Sequence, residues 1–120
     1  MSNKVSSTII EPEQIETLVA SAGVEMTQTI LEAFWASNQE ILVNLQSQLA
    51  DGALAEAAKS AHALKGSAAN LGAVVLAEQA RLLENACQAM EALSARKVME
   101  TIPDSISRTR AAFETLLQVA

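Results

Sequence analysis

The stretch HALKGSAANLGA, residues 62–73, holds the chain's only histidine, a glycine four residues beyond it, and a Leu-Gly-Ala signal after that. Gly72 stands where helices end in a left-handed cap. The alanine- and leucine-rich segments on either side of it then read as two helices joined by a tight turn. Gly66 is the anomaly. In a helix interior glycine costs about 1 kcal/mol relative to alanine, and alanine surrounds it on both sides. A glycine kept there asks for a reason.

Working outward, the spacing predicts a helix from about Ala53 to Leu71 and another that starts almost at once and reaches about Leu93. Val75, Leu76, Leu83, Cys87 and Met90 form the apolar side of that second helix. Upstream, Asp51-Gly52 is a turn signal. Before it, Ile30, Phe34, Ile41, Leu45 and Leu49 recur at helical spacing over about Glu25–Leu49. Glu11-Pro12-Glu13 reads as a helix start, because proline and acids suit the first turn. That short N-terminal helix runs to about Ser21 and is stopped by Gly23. Residues 1–10 read as an extended lead-in that adds contacts through Ile9 and Ile10. Downstream, Thr101 to Pro103 opens a last helix, with Ile106, Phe113, Leu116 and Leu117 inward.

Composition agrees. Of 120 residues half are hydrophobic, yet aromatics make up only 2% (Phe34, Trp35, Phe113) and tyrosine is absent. Ala, Leu, Glu and Gln favour helix. Short connections between long amphipathic helices make antiparallel neighbours. The expected fold is all-α: one domain over residues 1–120, an antiparallel up-down-up-down four-helix bundle with a short extra N-terminal helix across one end.

Several functions are disfavoured. Eight basic against fourteen acidic residues give a net charge of −6, which argues against a nucleic-acid binder. No apolar stretch approaches the ~20 residues needed to cross a membrane. The polar opening MSNKVSST carries no secretory pattern. A single cysteine, Cys87, fits a reducing compartment and reads as a small buried hydrophobe. A cytoplasmic monomer is expected. One thiol and one imidazole make poor material for a zinc site or a Cys-His catalytic pair.

With His62 set at zero and about 100° per residue, Leu54, Ala57, Ala61, Leu64, Ala68 and Leu71 form an arc that faces the core. His62 points well away from it. Ala55, Ala58, Gly66 and Ala69 fall within about 40° of His62, and Lys59 and Lys65 flank it at about 60° on either side. An imidazole on a strip of small side chains, bracketed by two cations, suits docking by another protein and suits an anion formed on the ring. A plainer reading stands beside this one: alanine favours helix, and outward lysines are ordinarily solvated.

His62-x-x-Lys65-Gly66-Ser67, followed by Leu71-Gly72-Ala73, resembles the signature of histidine-containing phosphotransfer (HPt) domains. The length and helix order of nearly the whole chain are similar to that family too. The resemblance implies a four-helix bundle whose exposed histidine, here His62, accepts a phosphoryl group from a receiver-domain aspartate and passes it to another receiver's aspartate. It implies that Lys65 offsets phosphoryl charge. Imidazole suits the role as a nucleophile near neutral pH, and loose phosphoryl transfer depends on positioning and charge neutralisation. Receiver domains or a hybrid histidine kinase would be the partners. Magnesium would sit on the receiver, and this chain would need no cofactor of its own. No autonomous kinase activity is expected, since no nucleotide motif is present.

The ring also needs an acceptor for one nitrogen's proton. His62 lies ten residues before Gly72, so on the antiparallel neighbour the facing region begins near Leu82. Glu84 is the polar residue there, and many relatives carry glutamine or glutamate at the corresponding place. Asn38 and Gln39 are weaker candidates for polar contacts. Ser67, about 140° from His62, has a helix or packing role. Gly66, on the histidine's own strip, keeps the imidazole accessible or else admits a neighbouring helix. Ile9, Ile10, Leu18 and Trp35 are candidates for a docking surface, although Trp35 also reads as core beneath the short first helix. Two other functions stay open. One is the phosphotransfer domain of a chemotaxis-type kinase, which shares the His-x-x-Lys-Gly pattern; ordinary kinases place an acid after their histidine, where Ala63 stands here. The other is a non-catalytic helical adaptor in which His62 is incidental.

Overall fold

A computed structural model describes residues 9–118. Residues 1–8, the greater part of the expected lead-in, lie outside the described residues. Four helices follow one another: α1 (Glu13–Ala50), α2 (Leu54–Asn70), α3 (Val74–Gln88) and α4 (Ala92–Gln118). Each packs on its chain neighbours, and α1 also meets α4, which closes the bundle.

The short N-terminal helix is not set off as an element of its own. Gly23 leaves helical geometry, with φ 89° and ψ 167°, but the helix resumes directly, so Glu13–Ala50 runs as one element with a break. The Thr27 hydroxyl donates to the Gly23 carbonyl at 2.8 Å and satisfies an acceptor at that break. Ahead of the helix Ile10 is fully buried, as is Ile15 in the helix's first turn, and the Glu11 amide donates to the Gly72 carbonyl at 2.7 Å. The N-terminal segment is thereby laid across the turn between α2 and α3.

Three turns close the bundle in the same way. After each helix one residue takes positive φ: Gly52 (71°), Gly72 (79°) and Met90 (61°). In each case the amide of that residue bonds back three residues and the next amide bonds back five. The Gly72 amide donates to Ala69 at 3.1 Å and Ala73 to Ala68 at 2.8 Å; Met90 donates to Cys87 at 3.1 Å and Glu91 to Ala86 at 2.9 Å. This pairing satisfies carbonyls left over at a helix end.

The third turn corrects two boundaries. α3 ends at Gln88 rather than near Leu93, and α4 begins at Ala92 rather than at Thr101, so Pro103 lies inside the helix. Met90, expected inward, is 68% exposed.

The core is unusually rich in alanine. Ala57, Ala61 and Ala68 of α2 and Ala80 of α3 are fully buried, together with Leu64, Leu76 and Leu83. Small side chains let these two helices approach closely, which positions the face that carries His62 against α3. At the other seam Trp35 packs on Phe34 (ring centroids 4.9 Å apart) and on Phe113 of α4 (6.1 Å), under the Arg110 guanidinium. The partner of Trp35 is thus the last helix.

Candidate functional site

His62 stands midway along α2 on the outward face, its side chain 66% exposed. The core arc read from the sequence is the buried face: Leu54, Ala57, Ala61, Leu64, Ala68 and Leu71 are all buried. Of the small residues sharing the histidine's strip, Ala55, Gly66 and Ala69 are exposed, while Ala58 is covered. Gly66 is open in a specific sense: a Cβ added there would meet nothing within 4 Å. No neighbouring helix packs close on it, so close packing does not explain this glycine.

α3 supplies the histidine's partner. Nδ1 of His62 lies 2.9 Å from Oε2 of Glu84. The other carboxylate oxygen, Oε1, takes the Lys65 ammonium at 2.8 Å. Gln88, one turn beyond Glu84, donates to Oε2 at 3.4 Å. Glu84 is only 8% exposed, so one shielded carboxylate gathers three donors from two helices. The bond from Lys65 holds its carboxyl below the usual carboxylate range, against the opposing push of burial, and the bond from His62 adds to the lowering.

An ionised carboxylate only accepts. Nδ1 therefore carries the ring proton, and Nε2 keeps a lone pair in the neutral ring. Because the ring is anchored through Nδ1 to α3, Nε2 is the nitrogen left for an incoming electrophile.

His62, Lys65 and Glu84 are brought together. Lys59 is exposed and lies 3.7 Å from Glu56. Asn38 is not part of the cluster. It is 1% exposed, and neither its amide nitrogen nor its oxygen has a hydrogen-bond partner. Gln39 is exposed. Ser67 donates to the Leu64 carbonyl at 3.2 Å, a bond within its own helix. Of the residues considered for docking, Ile10 is buried, and Ile9, Leu18 and Trp35 are partly buried against the core.

Two features escaped the sequence reading. Gln88 completes the Glu84 cluster; its signal was the spacing of four residues that puts it on the same helix face. A shallow groove also runs beside His62, lined by Lys59, Cys87, Gln88 and Met90 among others. Its wall at Met90 exists only because α3 stops there. The Cys87 thiol is pushed up by burial and so stays protonated. Among the described residues, no group of three or more His, Cys, Asp or Glu side chains is arranged to hold a metal ion, and no helix is long and apolar enough to cross a membrane.

Against known proteins, residues 29–112 match the model of the Hpt domain family. The match contains α2, α3 and the whole cluster around His62. No curated protein matches the chain in sequence. Among solved structures the fold is similar to histidine-containing phosphotransfer protein B (HptB) from Pseudomonas aeruginosa PAO1. The TM-score is 0.82 at 23% identity, covering 92% of this chain and 96% of that one.

Proposed function

The chain belongs to the Hpt domain family, and we propose that it takes a phosphoryl group from the aspartate of one receiver domain onto Nε2 of His62 and hands it to the aspartate of another. One observation carries this reading: an exposed imidazole whose Nδ1 is tied to a shielded carboxylate, which leaves Nε2 as the uncommitted nitrogen.

Each neighbour has a part in that reaction. Glu84 fixes the tautomer and the ring plane. Fixing them ahead of time removes part of the entropic barrier, since in-line transfer tolerates little misplacement. Lys65 neutralises Glu84 in the resting protein and stays one turn from His62, where a cation offsets the charge on a transferring phosphoryl group. Gly66 leaves the approach to the ring clear. The receiver brings the acyl phosphate and its magnesium; this chain brings the nucleophile and the surface around it. A loose transition state asks for little more than alignment and charge balance, which fits a site without a phosphate-cradling loop.

The test is a two-step transfer. The protein is loaded from a phosphorylated receiver, separated from it, and mixed with a second receiver in the presence of magnesium. Label should move to the protein and then onward. A protein that is labelled by a kinase and ATP but by no phosphorylated receiver would favour the chemotaxis-kinase reading instead.

A further inference from the structure

We infer that Met90, on the turn between α3 and α4, is a docking residue for the receiver domain and helps decide which receivers this chain accepts. The inference rests on the relay reading above and names part of the surface on which that partner sits.

The turn is costly as built. Each of the three turns places one residue at positive φ, and two of them use glycine, at Gly52 and Gly72; the third uses Met90, at φ 61°. Left-handed geometry is unfavourable for a residue with a Cβ, and glycine or asparagine is the usual occupant of this place. Burying the side chain would offset that cost, but Met90 is largely exposed, and so is Leu93, three residues on. The fold therefore holds a strained residue whose side chain it hardly uses. Strain kept in this way points to a contact made with something other than the fold.

Met90 also stands where a partner must sit. It forms one wall of the groove beside His62, with Ala58 and Cys87 along the groove and Lys59 on the α2 side. Glu84 is level with His62 and bonded to its ring at 2.9 Å. Met90 comes six residues later, about 9 Å farther along the helix axis. For a receiver's aspartyl phosphate to reach Nε2, the receiver has to cover the surface around the ring. An interface at the small end of the specific class takes about 600 Å² of each partner, a disc about 14 Å in radius. Centred on His62, such a disc includes the groove and Met90.

The side chains say what the groove accepts. Unbranched methionine adapts its shape to what it meets, and Ala55 and Ala58 leave space beside it. The surface suits a receiver that lays an apolar side chain in the groove against the Met90 thioether. A receiver with a charge at that point would bury the charge unpaired, and so would be rejected.

The experiment measures transfer from a phosphorylated receiver to wild type, Met90→Gly and Met90→Leu. Met90→Gly relieves the turn and should melt a few degrees higher. Its KM for the receiver should nevertheless rise about tenfold with kcat unchanged, the mark of lost docking rather than lost chemistry. Met90→Leu keeps an apolar side chain and should stay within about twofold of wild type in KM. As a check that uses no variant, wild type carrying 13C-methyl methionine is titrated with the unphosphorylated receiver and magnesium. The Met90 methyl should shift, while that of Met99, buried in α4, stays in place. An unchanged KM in Met90→Gly, or a Met90 methyl that does not move, would overturn this inference and leave the relay reading standing. Failure of every phosphorylated receiver to load wild type would overturn the relay reading and this inference with it.

Discussion

Gly66 and Gly72 stand six residues apart and are glycine for opposite reasons. Gly66 is helical, and a side chain there would extend into open space. Gly72 has φ 79°, and a Cβ there would run into the Glu11 carbonyl and sit 2.7 Å from Oε1 of Gln14. The first glycine does nothing for the fold; the second seats the N-terminal segment on it.

Substituting Gly66 should therefore raise stability. Gly66→Ala gains up to about 1 kcal/mol of helix propensity with no clash to offset it, a rise of a few degrees in Tm. Transfer should slow, because the new side chain rises one turn from the imidazole, and Gly66→Gln should slow it much further. Calorimetry and transfer rates on the same two variants check this. A destabilised variant, or a fully active Gly66→Gln, would mean that the glycine does not serve access to His62.

Gly72→Ala should do the reverse. Left-handed geometry costs a non-glycine residue roughly 1–2 kcal/mol, and the contact with Glu11 adds to it. The variant should lose at least that much stability. Hydrogen exchange should rise at the Glu11 amide, whose acceptor is the Gly72 carbonyl. Unchanged protection at Glu11 would show that the strap does not depend on this glycine.

Glu84 makes stability depend on pH. Its carboxyl is held low first by the Lys65 bond and then by His62. A group whose folded value is depressed contributes stability above its unfolded value and loses it as pH falls through the folded value. The stability gap between wild type and Glu84→Gln should be constant near neutrality. It should shrink as pH drops below the ordinary glutamate value, about 4.3. Urea unfolding of both proteins in steps of pH measures it, and a gap that widens on acidification would contradict the assignment.

Asn38 is a buried amide with both ends unpartnered. Such a group costs about 1–3 kcal/mol relative to a satisfied or apolar one. Asn38→Leu, which keeps the branching at Cγ without the polar atoms, should raise stability within that range and leave the transfer rate unchanged, since Asn38 touches none of His62, Lys65 or Glu84 through a hydrogen bond. A loss of stability would show that the amide is partnered in solution.

Much of this was legible in the residues, and what was not has physical causes. Gly52 and Gly72 announced two turns, since positive φ favours glycine. The third turn puts Met90 in the same geometry, so nothing marked it, and Pro103 stood out as a false start. Glu84 was within reach because antiparallel helices can be counted back from their turn. That Lys65 binds the same carboxylate was not, since a helical wheel does not say how far a long side chain reaches across a seam. Asn38 was misplaced because its position on the wheel does not distinguish a core amide from one near the histidine.

The central claim is that His62 receives the phosphoryl group. The direct measurement incubates wild type and His62→Gln with a phosphorylated receiver and follows the label on each. Wild type should gain a label that survives base and is lost in acid, as a phosphoramidate is, while a folded His62→Gln gains none. Undiminished labelling of His62→Gln would contradict the account.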